Sequence, residues 1–158
     1  MMEELFLRKV TEADIEEVFA LSNEDEVRRY SLHKEKITWE EHVRWFGNVL
    51  KDRNHLFYVV TDQSQRFLGQ IRYRIEENQA VVSISLAEWI RGKGLSSFLL
   101  QESMKKLYEE RKDVKRIVAY VSEENAASSK LFQKSGFSLV DRQKDFLQYI
   151  YTGRSEGV

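Results

Sequence analysis

Between Ala80 and Val121 the spacing of apolar residues switches from every second position to about every 3.6 and back, which defines a strand–helix–strand unit. Ala80–Leu86 is a β-branched run, Ser96–Glu110 carries Leu100, Met104, Leu107 and Tyr108 as one helical stripe, and Arg116–Val121 returns to strand. Antiparallel neighbours would not need so long a link, so the two strands are expected to run parallel with a right-handed crossover. The segments before it are short and hairpin-like. Leu56–Thr61 and Phe67–Ile75 flank the turn-like Asp62–Gln65, and Glu76–Gln79 turns the chain into Ala80, so three antiparallel strands precede the crossover. In the second of them Ile71, Tyr73 and Ile75 alternate with Gln70, Arg72 and Arg74, giving an apolar face and a face with two guanidinium groups.

Helix boundaries are marked by side chains that can replace missing backbone partners. Thr11 with Asp14, and Thr38 with Glu41, are spaced as capping boxes. The first opens a helix on Ile15, Val18, Phe19 and Leu21 that ends at Asn23; a charged connector with Val27 and Tyr30 follows. The second opens a helix whose stripe is Trp39, His42, Val43, Phe46, Val49 and Leu50. Asn125 caps a last helix ending at Ser135, with Gly136 as the left-handed residue after it and Phe137 folding back on the final turn. Ser138–Arg142 and Phe146–Thr152 close the sheet around Gln143–Asp145, after an opening strand at Leu5–Val10, and Gly153 onward reads as a frayed tail. The expected architecture is mixed α/β, about seven strands with four helices and one parallel step, forming one domain over residues 1–158.

Charge and composition narrow the function classes. Twenty-five basic residues against 26 acidic ones leave a net charge of −1, with no global field to draw the chain onto nucleic acid or an anionic membrane. With no cysteine there is no disulfide scaffold and no thiolate nucleophile, and the three histidines lack ligand spacing, so no metal site is expected. The start Met1-Met2-Glu3-Glu4 is acidic where a secretory signal is basic, and the longest apolar run, Leu56–Val60, falls far below the ~20 residues that span a bilayer. A cytoplasmic protein, monomer or homodimer, is the expectation.

Arg91-Gly92-Lys93-Gly94-Leu95-Ser96 lies between an apolar strand and an amphipathic helix, where backbone N–H groups and the helix dipole can hold an anion such as a pyrophosphate. A glycine-bearing turn with solvated cations is the plainer reading of the same residues. It is no Walker loop, because Ala87 and Gly94 stand where Gly and Ser/Thr belong, and the third glycine of a dinucleotide fingerprint is missing. From Leu5 to about Tyr151 the chain resembles the GNAT superfamily of acyl-CoA-dependent N-acyltransferases. Arg91 and Gly94 match the hallmark Arg/Gln-x-x-Gly-x-Gly/Ala, with Ser96 in place of the last small residue. The stretch from Glu124-Asn125 to Gly136-Phe137 matches the family's next helix.

The resemblance implies a splayed parallel pair of strands that holds acetyl-CoA as co-substrate. The pantetheine would lie near the backbone of Ile84, Ser85 and Leu86, the pyrophosphate on Arg91–Ser96, and Asn125 would touch the cofactor arm. An amine with a pKa of about 10 must lose a proton before it attacks the thioester, and the oxyanion needs a fixed donor. Two side chains common in the family are absent: Phe132 stands where a tyrosine protonates the departing thiolate, and Ala80-Val81-Val82 carries no glutamate. Glu124, His33 and Tyr30 are the remaining acid–base candidates, each also readable as a surface residue. Asn23–Arg28, Ser31, Ile37 and Glu41–Phe46 resemble the branch that acetylates nucleotide-linked amino sugars in pseudaminic-acid-type pathways. There Arg72 would address a diphosphate and Trp45 a base or sugar. A protein N-terminus of the ribosomal-protein type is the alternative acceptor, and a non-catalytic acyl-CoA-binding module the alternative role.

Overall fold

The computed structural model describes residues 4–91 and 94–153, so Gly92, Lys93 and the expected tail beyond Gly153 lie outside the described residues. Seven strands, β1 (Phe6–Lys9), β2 (His55–Thr61), β3 (Phe67–Glu76), β4 (Gln79–Leu86), β5 (Arg116–Ser122), β6 (Ser138–Gln143) and β7 (Phe146–Tyr151), form a sheet in the order β1-β2-β3-β4-β5-β7-β6. Every neighbouring pair is antiparallel except β4 and β5, the parallel step expected of the crossover.

Five α-helices are present among the described residues: α1 (Ile15–Ser22), α2 (Asp25–Arg29), α3 (Trp39–Lys51), α4 (Leu95–Glu110) and α5 (Ala126–Lys134). The expectation of four fails at α2, which lies in the charged connector. With five residues and none buried, it presents no apolar stripe by which periodicity could reveal it. Both capping boxes form: Asp14 accepts from the Thr11 N–H at 2.8 Å, Glu41 from the Thr38 N–H at 3.0 Å, and each threonine hydroxyl accepts from the turn it opens. The first opens a short 3₁₀ turn that runs into α1.

Helices cover both faces of the sheet. On one face Val18 of α1 and Phe46 and Val49 of α3 pack on Phe57; on the other Leu99, Leu100, Met104 and Leu107 of α4 and Phe132 of α5 pack on Tyr58, Ile71, Tyr73, Ile117 and Tyr149. The expected α3 stripe is buried at His42, Phe46 and Val49, whereas Trp39 and Val43 remain 41% exposed. Helix α5 closes as its sequence requires. Gly136 has φ +96°, and the Phe137 N–H donates to the Phe132 carbonyl at 2.9 Å while the two rings meet at 5.0 Å.

Candidate acetyl-transfer site

The hydrogen-bond ladder between β4 and β5 stops early. It joins Gln79 to Arg116, Ala80 to Ile117 and Val81 to Val118, whereas β3 stays paired with β4 to Leu86 and β7 with β5 to Ser122. Val82–Leu86 and Ala119–Ser122 therefore flank a gap with unpaired inner edges, and unpaired backbone groups need a partner. Alternation sorts them. A Cβ on Gly69 of β3 would lie 2.7 Å from the Ser85 carbonyl oxygen, so that oxygen faces β3 and the backbone of Ile84 faces the gap. The backbone of Ser85 is thus turned toward β3, between the gap-facing backbones of Ile84 and Leu86. The Leu86 carbonyl already accepts from Arg91 Nε at 2.9 Å.

Helix α4 begins beside that gap. Its N-cap is Gly94, at φ +76°, with no side-chain cap, and among the described residues no acceptor meets the N–H groups of Leu95, Ser96 or Ser97. An anion bound there would face free donors and the positive end of a 16-residue helix. Arg91 is engaged elsewhere: besides Leu86 it pairs with Glu24 at 3.0 Å, and its own N–H donates to the Glu88 carbonyl. Asn125 is the N-cap of α5, with Oδ1 accepting from the Ser128 N–H at 3.1 Å and Nδ2 donating to the Ser128 hydroxyl at 3.0 Å. Phe132 is 4% exposed and stacks with Tyr149, so this position offers packing and no proton.

The face under α1 and α3 carries the other candidate residues. Register places Phe57, Arg72 and Ser83 in one row across β2, β3 and β4, and Val59, Gln70 and Ser85 in the next. The Arg72 guanidinium lies over the Trp45 ring at 4.8 Å and the Phe57 ring at 5.8 Å, with no hydrogen bond or ion pair to any described residue. Trp45 and Arg72 are thus in contact, and the indole acts as a shelf for the cation. Burial and the nearby charges of Arg28 and Arg74 lower the Arg72 pKa to about 10, so it keeps its charge at neutral pH. Arg28 donates to the carbonyls of Ser22, His33 and Glu35 and to the Ser31 hydroxyl, stapling the connector without any carboxylate. Arg74 instead pairs with Glu76 at the surface.

His42 is 1% exposed and donates from Nε2 to the Ile15 carbonyl at 2.9 Å, a core residue as its helical position suggested. His55 lies edge-on to Trp45, and burial together with Arg72 lowers its pKa to about 4. The three acid–base candidates are not brought together. Tyr30 caps α2 beneath Arg29, His33 is exposed and its carbonyl accepts from Arg28, and Glu124 is exposed before α5. Two residues were missed. Gln70 is 3% exposed with Oε1 unpartnered among the described residues, and Tyr120, 47% exposed, stands on the face of β5 opposite its core-facing Ala119 and Val121.

A sheet with an open parallel pair and an uncapped glycine-started helix defines an acyl-transferase fold. The acetyltransferase (GNAT) domain family matches residues 4–138, and the chain belongs to it. It is an acetyltransferase with acetyl-CoA as donor. YwnH of Bacillus subtilis (strain 168), which carries a phosphinothricin acetyltransferase name, is 30% identical over 142 residues, covering 84% of this chain and 83% of that relative. Acetyltransferase PseH of Campylobacter jejuni (strain 81-176) is 27% identical over 133 residues, covering 84% of this chain and 82% of PseH. The spermidine N-acetyltransferase of Vibrio cholerae, solved with CoA and spermine, superposes with a TM-score of 0.82 at 19% identity, covering 92% of this chain and 94% of that one. At that identity the likeness is one of fold. No helix among the described residues is long and apolar enough to cross a membrane.

Proposed function

We propose that this chain acetylates the primary amine of an anionic acceptor, an amino sugar linked to a nucleotide. The observation that carries this is Arg72, a cation held on Trp45 and Phe57 without a carboxylate partner, on a face that also holds Arg28. Holding such a charge half-buried with no counter-charge is unfavourable, and a ligand anion would complete it. A diphosphate can take both hydrogen bonds of one edge of a guanidinium. A polyamine would bring cations to the same place, so the fold likeness to a spermidine enzyme does not extend to the acceptor. The likeness to PseH, and of Asn23–Phe46 to the amino-sugar branch, supports the same reading.

The donor would lie in the gap between β4 and β5, with its pyrophosphate on the first turn of α4 and its amide arm against the backbone of Ile84. Acetyl-CoA supplies an activated thioester carbonyl. A strand-edge N–H of β4 is the fixed donor for the oxyanion. The amine arrives neutral, its nitrogen bonds the carbonyl carbon, and the C–S bond breaks with its electron pair on sulfur. One amine proton ends on the thiolate, carried by water, because Phe132 carries none.

The test is thiol release from acetyl-CoA with UDP-glucosamine, phosphinothricin, spermidine and an unblocked peptide as acceptors. UDP-glucosamine is expected to give the highest kcat/KM. Preference for spermidine overturns the anionic reading, preference for the peptide favours the protein acceptor, and binding of acetyl-CoA without thiol release favours the non-catalytic module.

A further inference from the structure

Gln70 is a buried group to which the mechanism so far gives no part. It lies on β3 directly opposite Ser85 of β4, on the face beneath α1, and is 3% exposed. Its Nε2 donates to the Ser22 hydroxyl at 3.3 Å, and Ser22, at the end of α1, is itself tied to Arg28 through its carbonyl at 2.8 Å. Oε1 has no donor among the described residues. A buried amide oxygen left unpaired is destabilising, whereas an apolar side chain of the same shape would be nearly neutral. The fold carries that cost one strand from the gap, next to the row that holds Arg72 and Ser83.

We infer that Gln70 Oε1 receives an N–H of the acceptor amine and so aims its lone pair at the thioester carbon. This rests on the reading that the amine reaches the gap from the α1 side; it does not depend on the nucleotide. An amide oxygen is too weak a base to take the proton. It holds one N–H of the neutral amine and stabilises the positive charge that grows on nitrogen as the N–C bond forms and the C–S bond breaks. The proton then leaves through water to the thiolate, so the amide ends the cycle unchanged.

The experiment compares the unchanged protein with Gln70→Met, which keeps the length and removes the oxygen, and with Gln70→Glu, which restores an oxygen acceptor. The acceptor is whichever of UDP-glucosamine, phosphinothricin, spermidine and the peptide the unchanged protein turns over best. For Gln70→Met, kcat is expected to fall about 10- to 100-fold, as loss of one orienting contact does. KM for acetyl-CoA stays unchanged, and Tm is unchanged or raised because the unpaired group is gone. Gln70→Glu is expected to recover part of kcat. A folded Gln70→Met with undiminished kcat overturns the assignment, as does a kcat loss matched by a loss of Tm that Gln70→Glu fails to repair. Absence of turnover by the unchanged protein with all four amines overturns it too. A best acceptor other than UDP-glucosamine overturns only the nucleotide reading.

Discussion

Arg72, the residue proposed to meet the acceptor, is a half-buried cation without a described counter-charge. Its guanidinium rests on Trp45 and Phe57, which takes part of the water away from the charge, yet no described carboxylate replaces that water. The neighbouring His55, lowered to about 4, adds no second cation at neutral pH. Arg72→Met should therefore leave Tm unchanged or higher, because an uncompensated charge is replaced by an apolar stem of similar length. The same change should raise KM for UDP-glucosamine about 10- to 100-fold, the equivalent of one charge-assisted hydrogen bond, with KM for acetyl-CoA unmoved. A lowered Tm together with an unchanged acceptor KM would make Arg72 a packing residue only. Gly94 is the donor-side counterpart: at φ +76° it starts α4 without covering the N–H groups that follow, where Ser or Asp would cap them.

Elements place these residues through register, which sequence reveals unevenly. The alternation along Gln70–Ile75 identified the two faces of β3, and Thr38 with Glu41 fixed the start of α3, because each signal lies within a few consecutive residues. The end of the β4–β5 ladder after Val81 and Val118 depends instead on how far β3 and β7 pull their partners apart, and no local pattern encodes that. Gln70 read as a polar position on a half-solvated strand, whereas in the fold it is buried against Ser22 at the end of α1. The approach of β3 to β4 is tightest at Gly69. A Cβ there would meet the Ser85 oxygen at 2.7 Å, Leu86 Cδ2 at 2.8 Å and Leu86 Cα at 3.0 Å, two of the three being backbone atoms that can yield only by moving the strand. Gly69→Ala should lower stability by about 1–3 kcal/mol, the usual cost of overpacking. It should also weaken acetyl-CoA binding, because the displaced segment borders the gap. Urea unfolding and calorimetric titration read the two effects; unchanged affinity in the strained variant would separate the end of β4 from donor binding.

At the level of the whole molecule, the layer formed by α1, α3 and the sheet carries both the proposed acceptor face and two neutral histidines. His42 joins α3 to α1 through the Ile15 carbonyl, and His55 packs against Trp45 with 9% of its side chain exposed. Burial lowers both pKa values from 6.5, that of His55 to about 4. Below pH 6.5 the unfolded chain takes up protons that the folded chain refuses, so stability falls as pH falls and is regained as pH rises through that window. For His55 alone, 1.5 pH units below 6.5 at about 1.36 kcal/mol per unit gives a loss of about 2 kcal/mol at pH 5. The carboxylates of Asp14 and Glu110 are held below their ordinary values of 3.8 and 4.5, so their contributions fade mainly below that pH. Urea unfolding at pH 7.5 and pH 5 should show the unchanged protein losing at least this amount, and His55→Phe losing about 2 kcal/mol less. Equal losses in both would assign the acid sensitivity to His42 or to the carboxylates. Protonation of His55 would also put a second cation beside Arg72, so acid should loosen first the layer on which the acceptor is proposed to bind.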